Sequence, residues 1–100
     1  MSEFKQATSA RATQTSVPAS GTSVLLVAAN PQRKQLIIVN NGTAILHILL
    51  GDAAGSAAML TTANTLQLPT LANVILYNFT GPVSGIWSAV NGSANITELT

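Results

Sequence analysis

The side chains that could perform acid–base or metal chemistry are few in this chain of 100 residues. His47 is the single histidine, the acidic residues are Glu3, Asp52 and Glu98, and cysteine is absent. An acid–base pair of carboxylates needs two positioned partners, and a zinc site needs three or four ligands. Asp52 follows a glycine in a Gly/Ala loop, and Glu98 lies at the end of a predicted strand. We therefore expect no enzyme, no cofactor and no metal site within one chain.

Three side chains leave alternatives open. His47 is flanked by Ile45 and Leu49 on an apolar strand, which is typical of a packed or interface residue. Three copies of His47 could nevertheless meet on a three-fold axis and bind a metal. Trp87 and Tyr77 are predicted to be core or interface aromatics, with a sugar-stacking platform as the alternative.

The basic residues do not indicate a nucleic-acid site. The net charge is +1, and Lys5, Arg11, Arg33 and Lys34 are not interleaved with aromatic residues. Single-strand binding sites combine a basic groove with stacking aromatic side chains. We expect Arg33 to hydrogen-bond loop carbonyl groups or an acidic surface of a partner.

Charge is unusually scarce across the whole chain. Charged residues make up 7% of the sequence, against about 25% in an ordinary globular domain. The polar surface must come from Ser, Thr, Asn and Gln. Low charge together with abundant apolar residues makes a free monomer poorly soluble, so the composition favours a subunit of an assembly. The longest apolar runs, residues 24–29 and 44–50, are too short to span a membrane. With no signal peptide visible, we expect synthesis in a cytoplasm and no membrane partner.

The elements that must position these residues are short strands. Apolar and β-branched runs occupy residues 24–27, 36–39, 44–50, 66–68, 74–79, 83–90 and 94–99, and residues 57–60 form either a further strand or one helical turn. This spacing predicts an all-β fold, a small antiparallel β-sandwich or barrel of seven to eight short strands. Asn40-Asn41-Gly42-Thr43 and Asn91-Gly92 predict two β-hairpins, because tight hairpin turns need positive φ.

Residues 1–22 show no sustained period, and we predict an extended N-terminal arm there, ahead of a domain at residues 23–100. Two interpretations of the arm remain open. It is either a loose terminus or a segment that orders against a partner, with Phe4 and Val17 as its apolar anchors.

The residues around the first predicted hairpin resemble a known family. The pattern N-P-x-R-x-x-L-x-I-x-N-x-G comprises Asn30, Pro31, Arg33, Leu36, Ile38, Asn40 and Gly42. It resembles small bacteriophage virion proteins, and so do Leu66-Gln67-Leu68-Pro69 and the run Y-N-F-T-G-P-V-S-G-I-W at residues 77–87. The chain departs from that family at Thr65, where a glycine is usual. The resemblance covers residues 23–100 and consists of turns and strands rather than of catalytic residues.

This resemblance implies a virion structural protein that decorates or cements the capsid surface, with the major capsid protein as partner and usually as a homotrimer. The arm would then contact the shell through Phe4, Lys5, Arg11 and Val17. Subunits would contact each other through a set of six residues: Arg33, Ile45, His47, Leu49, Tyr77 and Trp87. A head-fibre, collar or tail component and a carbohydrate-binding adsorption module are the alternatives.

Overall fold

The protein is described here by a computed structural model covering residues 11–51 and 66–100. Phe4, Lys5, Asp52, Thr65 and residues 57–60 lie outside the described residues. Within these two ranges the chain forms eight β-strands and no helix, which confirms the all-β prediction. The strands are β1 Ala12–Pro18, β2 Val24–Val27, β3 Gln35–Asn41, β4 Leu46–Leu50, β5 Leu66–Leu68, β6 Asn73–Tyr77, β7 Val83–Trp87 and β8 Ser93–Leu99.

The strands form two antiparallel four-stranded sheets that pack face to face. Sheet A has the order β1-β8-β3-β6, and sheet B has the order β2-β7-β4-β5. Among the strands described, the chain stays in one sheet only between β4 and β5, and every other connection crosses to the opposite sheet. Eight strands in this order form a jelly-roll sandwich.

The core lies between the sheets and follows the alternation of side chains along each strand. In β3 the inward residues Leu36, Ile38 and Asn40 are fully buried, and the outward residues between them are half-buried. The largest fully buried side chains are Trp87, Leu36, Ile38, Leu46, Ile48, Ile96, Val83 and Asn40. Burial of a Leu, Ile or Val side chain contributes about 1.5–3 kcal/mol, so this layer supplies most of the hydrophobic stabilisation.

Neither predicted hairpin exists. β3 and β4 lie in different sheets, and so do β7 and β8, so both Asn-Gly turns are crossovers between the sheets. A two-residue type I′ hairpin turn needs positive φ at both central residues. Here Gly92 has φ of +83°, whereas Asn41, Gly42 and Asn91 do not have positive φ. The two turns pack against each other so closely that a Cβ on Gly42 would lie 2.6 Å from the carbonyl oxygen of Asn91.

The boundary predicted between arm and domain is also corrected. β1, which falls inside the predicted arm, is an edge strand of sheet A and pairs with β8 from Ala12–Leu99 to Pro18–Ser93. Most of its side chains are exposed and polar, which is why β1 shows no apolar period in the sequence. Val17 is the exception and packs against the core of this domain. The domain therefore includes residues 12–18.

Candidate functional site

Arg33 forms a buried clamp at one end of the sandwich. Its side chain is fully buried, and Nε donates to Oε2 of Glu98 at 2.7 Å. Nη1 donates to the carbonyl oxygens of Phe79 at 3.0 Å and Gly81 at 2.9 Å, and Nη2 donates to that of Ala28 at 2.5 Å. The guanidinium thereby joins the β2–β3 loop, the β6–β7 loop and β8. Its planar array of donors suits this task, which a lysine ammonium could not perform.

The location of Arg33 decides between the two interpretations of that residue. The predicted hydrogen bonds to loop carbonyl groups are present, and the acidic partner is Glu98 of the same chain. Arg33 is therefore not exposed for contact with another subunit, and its placement in the predicted interface is corrected. The clamp's chemistry is structural, because it holds three segments together and leaves little of either charge exposed.

At the opposite end, two asparagine side chains connect the crossovers. Asn40 is buried, and its Nδ2 donates to the carbonyl oxygens of Ala44 at 2.7 Å and Leu68 at 2.8 Å. Oδ1 of Asn91 accepts hydrogen bonds from the backbone N–H groups of Thr43 at 2.9 Å and Ala44 at 3.1 Å. A buried amide whose donors are satisfied by carbonyl groups from two segments fixes the position of both. This end of the sandwich carries both Asn-Gly turns, and we call it the Asn-Gly end. Side-chain hydrogen bonds of Asn40 and Asn91 hold its segments together.

Leu71 lies in the β5–β6 turn at this same end and has an unusual backbone. Its φ is +61°, a region that a leucine rarely adopts, and its side chain is 66% exposed. The N–H of Leu71 donates to the carbonyl oxygen of Asn40, and the N–H of Asn40 donates to that of Ala72. Asn40 therefore holds the turn in a conformation that a leucine alone would avoid.

The outer face of sheet A is apolar near β6 and uncharged throughout. Ile37 lies opposite Ile75, and Gln35 lies opposite Tyr77. The remaining outward residues of the four strands are also uncharged: Ala12, Gln14, Ser16, Pro18, Val39, Asn41, Asn73, Ser93, Asn95, Thr97 and Leu99. Ile75 is 43% exposed and Tyr77 is 67% exposed. We call the exposed apolar side chains of Leu71, Ile75 and Tyr77 the β6 strip.

Ile45, His47 and Leu49 share the outer face of sheet B, as the alternation predicted. Ile45 is exposed, Leu49 is half-buried, and His47 is only 7% exposed although it faces away from the core. His47 lies opposite Ile86 of β7 and Gln67 of β5. The role of these three residues in a subunit interface stays a prediction.

Trp87 and Tyr77 lie in different parts of the fold and cannot together form the sugar-stacking platform. Trp87 is fully buried in the core, which is one of the two positions predicted for it, so its assignment to a subunit interface is corrected. Tyr77 lies on the outer face of sheet A.

The predicted capsid contacts are only partly described. Arg11 precedes β1 and is exposed, and its carbonyl oxygen accepts a hydrogen bond from Thr100. Val17 faces the core and does not project as an anchor. Contact of Phe4, Lys5 and Arg11 with a shell stays a prediction.

No cluster of metal-ligating side chains occurs in residues 11–51 and 66–100. This part of the chain holds no group of three or more His, Asp or Glu residues placed to bind a metal. It also contains no helix long and apolar enough to cross a membrane. A groove of about 430 Å³ lies at the β1–β8 edge of sheet A, and its lining is uncharged: Gln14, Thr15, Ser16, Asn95, Ile96 and Thr97.

Sequence reasoning missed three residues that the structure singles out. Asn40 and Asn91 were assigned to turns, whereas their side chains connect separate segments. Nothing in the local pattern indicates which distant carbonyl or N–H group an asparagine will bind. The exposure of Ile75 could not be predicted because β6 is apolar on both faces, and the sequence does not indicate which face lies on the outside of the sandwich.

Comparison with known proteins identifies the fold and no family. No model of a protein family matches the chain, and no curated protein matches it. Among solved structures, a chain described as part of Bacillus endospore appendages, a family of disulfide-linked pili, is similar with a TM-score of 0.55 and 13% identity. The similarity covers 99% of this chain and 96% of that one. At this identity the similarity shows the fold alone.

Proposed function

We propose that this protein is a non-enzymatic structural protein of a bacteriophage virion, which decorates and stabilises the head shell by binding the major capsid protein. Such a protein is made in the host cytoplasm and reaches the capsid surface on assembly. It acts by mass action: a protein that binds the assembled shell and not the free capsid subunit stabilises the shell.

The observation that carries this proposal is the spatial arrangement of the family-like motif. Its first part, residues 30–42, contacts its later parts, residues 66–69 and 77–87, at opposite ends of the sandwich. Arg33 binds the carbonyl oxygen of Gly81 at one end, and Asn40 binds that of Leu68 at the other. Residues far apart in sequence that meet in this way support a resemblance of the whole fold rather than of isolated turns.

The distribution of charge supports a docked subunit. The Arg33–Glu98 pair neutralises two of the four charged side chains in the described ranges. The other two, Arg11 and Lys34, lie at the same end, where their backbones flank Thr100 and Leu99 of the chain's last residues. In the described ranges, neither broad face of the sandwich carries an Asp, Glu, Lys or Arg side chain, which lowers the desolvation penalty of covering them.

A fibre, collar or tail component is the second candidate. The appendage protein with a similar fold forms pili, so a sandwich of this kind can serve as the subunit of a fibre. Its pili are described as disulfide-linked. This chain has no cysteine, so a fibre of this protein would depend on noncovalent contacts. The adsorption-module alternative is less favoured, because burial of Trp87 leaves Tyr77 as the exposed aromatic of the predicted pair.

The test is to locate the chain in purified virions by cryo-electron microscopy and to heat particles with and without it. We expect density on the outside of the head, and DNA release at a lower temperature when the protein is missing. Density in a fibre or tail favours the second candidate. Absence of the chain from purified particles overturns both.

A deletion separates the arm from the domain. Removing residues 2–10 keeps β1, whereas removing residues 1–22 would delete a strand of sheet A. We expect the shorter deletion to fold with an unchanged circular dichroism spectrum and to lose shell binding. Retained binding would show that the arm is not the shell contact and would leave the domain as the binding part.

A further inference from the structure

We infer that the outer edge of β6 is a contact between two copies of this chain, in which β6 pairs antiparallel with β6 of the second copy about a two-fold axis at Ile75. The inference rests on the proposed function to the extent that the protein works as a subunit of an assembly. It names a partner for that subunit, which is its own copy.

The backbone of β6 shows which groups this edge offers. At the two ends of the β3–β6 ladder, Asn78 donates to the carbonyl oxygen of Lys34 at 3.1 Å and Asn40 donates to that of Ala72 at 3.0 Å. Hydrogen-bonded pairs alternate along an antiparallel ladder. The even-numbered residues of β6 therefore bond to β3, and the odd-numbered residues point their N–H and C=O groups the other way.

The odd-numbered residues are Asn73, Ile75 and Tyr77. Each presents one backbone donor and one acceptor at the edge of sheet A, and no strand in the described ranges pairs with this edge. A row of this kind is a template for another strand.

The other three sheet edges carry features that discourage pairing, and β6 does not. β1 ends in Pro18, which lacks an N–H group. β2 has a register irregularity between Leu25 and Val27, and β5 has three residues. Proline, bulges and short length are the usual protections of an edge strand. β6, with the sequence N-V-I-L-Y, has neither proline nor glycine nor charge.

The side chains on this flank of the sandwich are left partly uncovered. Of the seven large apolar side chains that are exposed in the described residues, four lie in or beside β5 and β6: Leu66, Leu71, Ile75 and Tyr77. Val74 and Leu76 face the core and are still only partly buried. A second β6 would cover the open edge of the inward pair and place side chains of the second copy beside Ile75 and Tyr77.

Self-complementarity indicates a second copy rather than a different strand. With the axis at Ile75, that residue lies opposite its own copy, Asn73 lies opposite Tyr77, and Val74 lies opposite Leu76. Each outward residue then exchanges both of its backbone hydrogen bonds with an outward residue of the second copy. The absence of charge on this face removes the like-charge repulsion that would otherwise oppose self-pairing.

The alternative of a head-to-tail contact fits less well. β6 could pair with β1 of the next copy, since these are the two edges of sheet A. The outward residues of β1 are polar, with Gln14 and Ser16 at its centre. Such a contact would place the β6 strip against polar side chains. The trimer that the resemblance implied stays a prediction, and the mass measurement described next distinguishes it from the two-fold contact.

The test measures the mass of the full-length chain by sedimentation velocity over a micromolar concentration series. We expect a monomer–dimer equilibrium for the wild type. Ile75→Lys brings two ammonium groups together at the axis and raises the dimer dissociation constant by at least about tenfold. The control is Gln14→Lys, which places the same charge on the same face at the opposite edge of sheet A and leaves dimerisation unchanged.

A charge-pair experiment tests the register. Ile75→Glu alone should be as weakly dimeric as Ile75→Lys, and an equal mixture of the two should dimerise again. Rescue occurs only if residue 75 meets residue 75 of the second copy. Circular dichroism and the melting temperature of each variant show whether it is folded. If Ile75→Lys is unfolded, the pair Tyr77→Lys and Asn73→Glu replaces it, because residue 77 lies opposite residue 73 of the second copy, and the mixture of these two variants should then dimerise better than Tyr77→Lys alone.

Three outcomes overturn the inference: a monomeric wild type, a trimer, or a dimer equally insensitive to both lysines. None of them affects shell binding, so failure of the β6 contact is distinguishable from failure of the proposed function. Conversely, a dimer disrupted by Ile75→Lys confirms the contact even if the protein is absent from virions.

Discussion

Replacing Arg33 with Met tests the reasoning about the clamp most directly. The substitution keeps the length and much of the apolar character of the side chain but removes its charge and all of its donors. Glu98 then loses its cation, and the carbonyl groups of Ala28, Phe79 and Gly81 lose charge-assisted hydrogen bonds. The β2–β3 and β6–β7 loops should separate at this end of the sandwich.

The magnitude follows from burial. Removal of one partner from a buried ion pair lowers the free energy of unfolding by about 3–5 kcal/mol. The Glu98 side chain is 17% exposed, so water can solvate it in part once Arg33 is absent. We therefore expect a loss near the lower limit, about 3–4 kcal/mol. Since small domains have a total stability of about 5–15 kcal/mol, this is a large fraction of it.

The assay is urea unfolding followed by Trp87 fluorescence, with Lys34→Met as the matched control. Lys34 is the next residue and loses the same charge, but it forms no ion pair with the residues that the structure describes, and we expect a change within about 0.5 kcal/mol. Glu98→Gln should lose less than Arg33→Met, and the double variant should lose less than the sum of the two, because both substitutions remove one interaction.

Salt distinguishes this clamp from a surface pair. A buried pair is screened little, so the loss in Arg33→Met should persist in concentrated salt. The reasoning would be refuted by a loss within about 1 kcal/mol of the Lys34→Met control, or by a loss that disappears in high salt.

Two further predictions concern the Asn-Gly end. Gly92→Ala should lower the free energy of unfolding by more than about 2 kcal/mol, because φ is +83° and the new Cβ would collide with the backbone of Asn41 and Gly42. Gly21→Ala is its control, since a Cβ at Gly21 would meet only a methyl group of Val90 at 3.7 Å. Urea unfolding measures both variants, and an equal loss of stability in the two would contradict the close packing of the Asn-Gly turns. Leu71→Asn should raise the melting temperature, with a gain of about 0.5–1 kcal/mol, because asparagine tolerates positive φ better than leucine. A lower melting temperature would show that the exposed leucine side chain stabilises the turn.

The strands could be predicted from the sequence because each is a short apolar or β-branched run between turn residues. Seven of the strands overlap the predicted runs, and β1 is the exception. Its outward side chains face solvent, and its inward side chains are Thr13, Thr15 and Val17, so Val17 is the one large apolar residue of the alternation. An edge strand with one solvent-exposed face resembles a loop in its amino-acid composition.

Strand pairing could not be predicted, because the same local signal serves two geometries. Asn-Gly permits a tight hairpin, but it equally permits a close approach of two backbones, which is its use at Gly42 and Gly92. Which use applies depends on partners fifty residues apart in sequence. The same limit explains why Arg33 was wrongly assigned to the subunit interface. Its guanidinium group predicts hydrogen bonds to loop carbonyl groups, but its burial depends on where Glu98 lies in the fold.

The pairing of β1 with β8 has a consequence for biosynthesis. Ala12 is opposite Leu99, so sheet A cannot be completed until nearly the entire described chain has left the ribosome. At about 5–20 residues per second, the nascent β1 waits roughly ten seconds for its partner. During that interval the apolar strands between them have unpaired edges, the condition under which nascent chains aggregate or require chaperones. A polar β1 is suited to such a delay, since the strand that waits longest is the one least able to associate with a wrong partner.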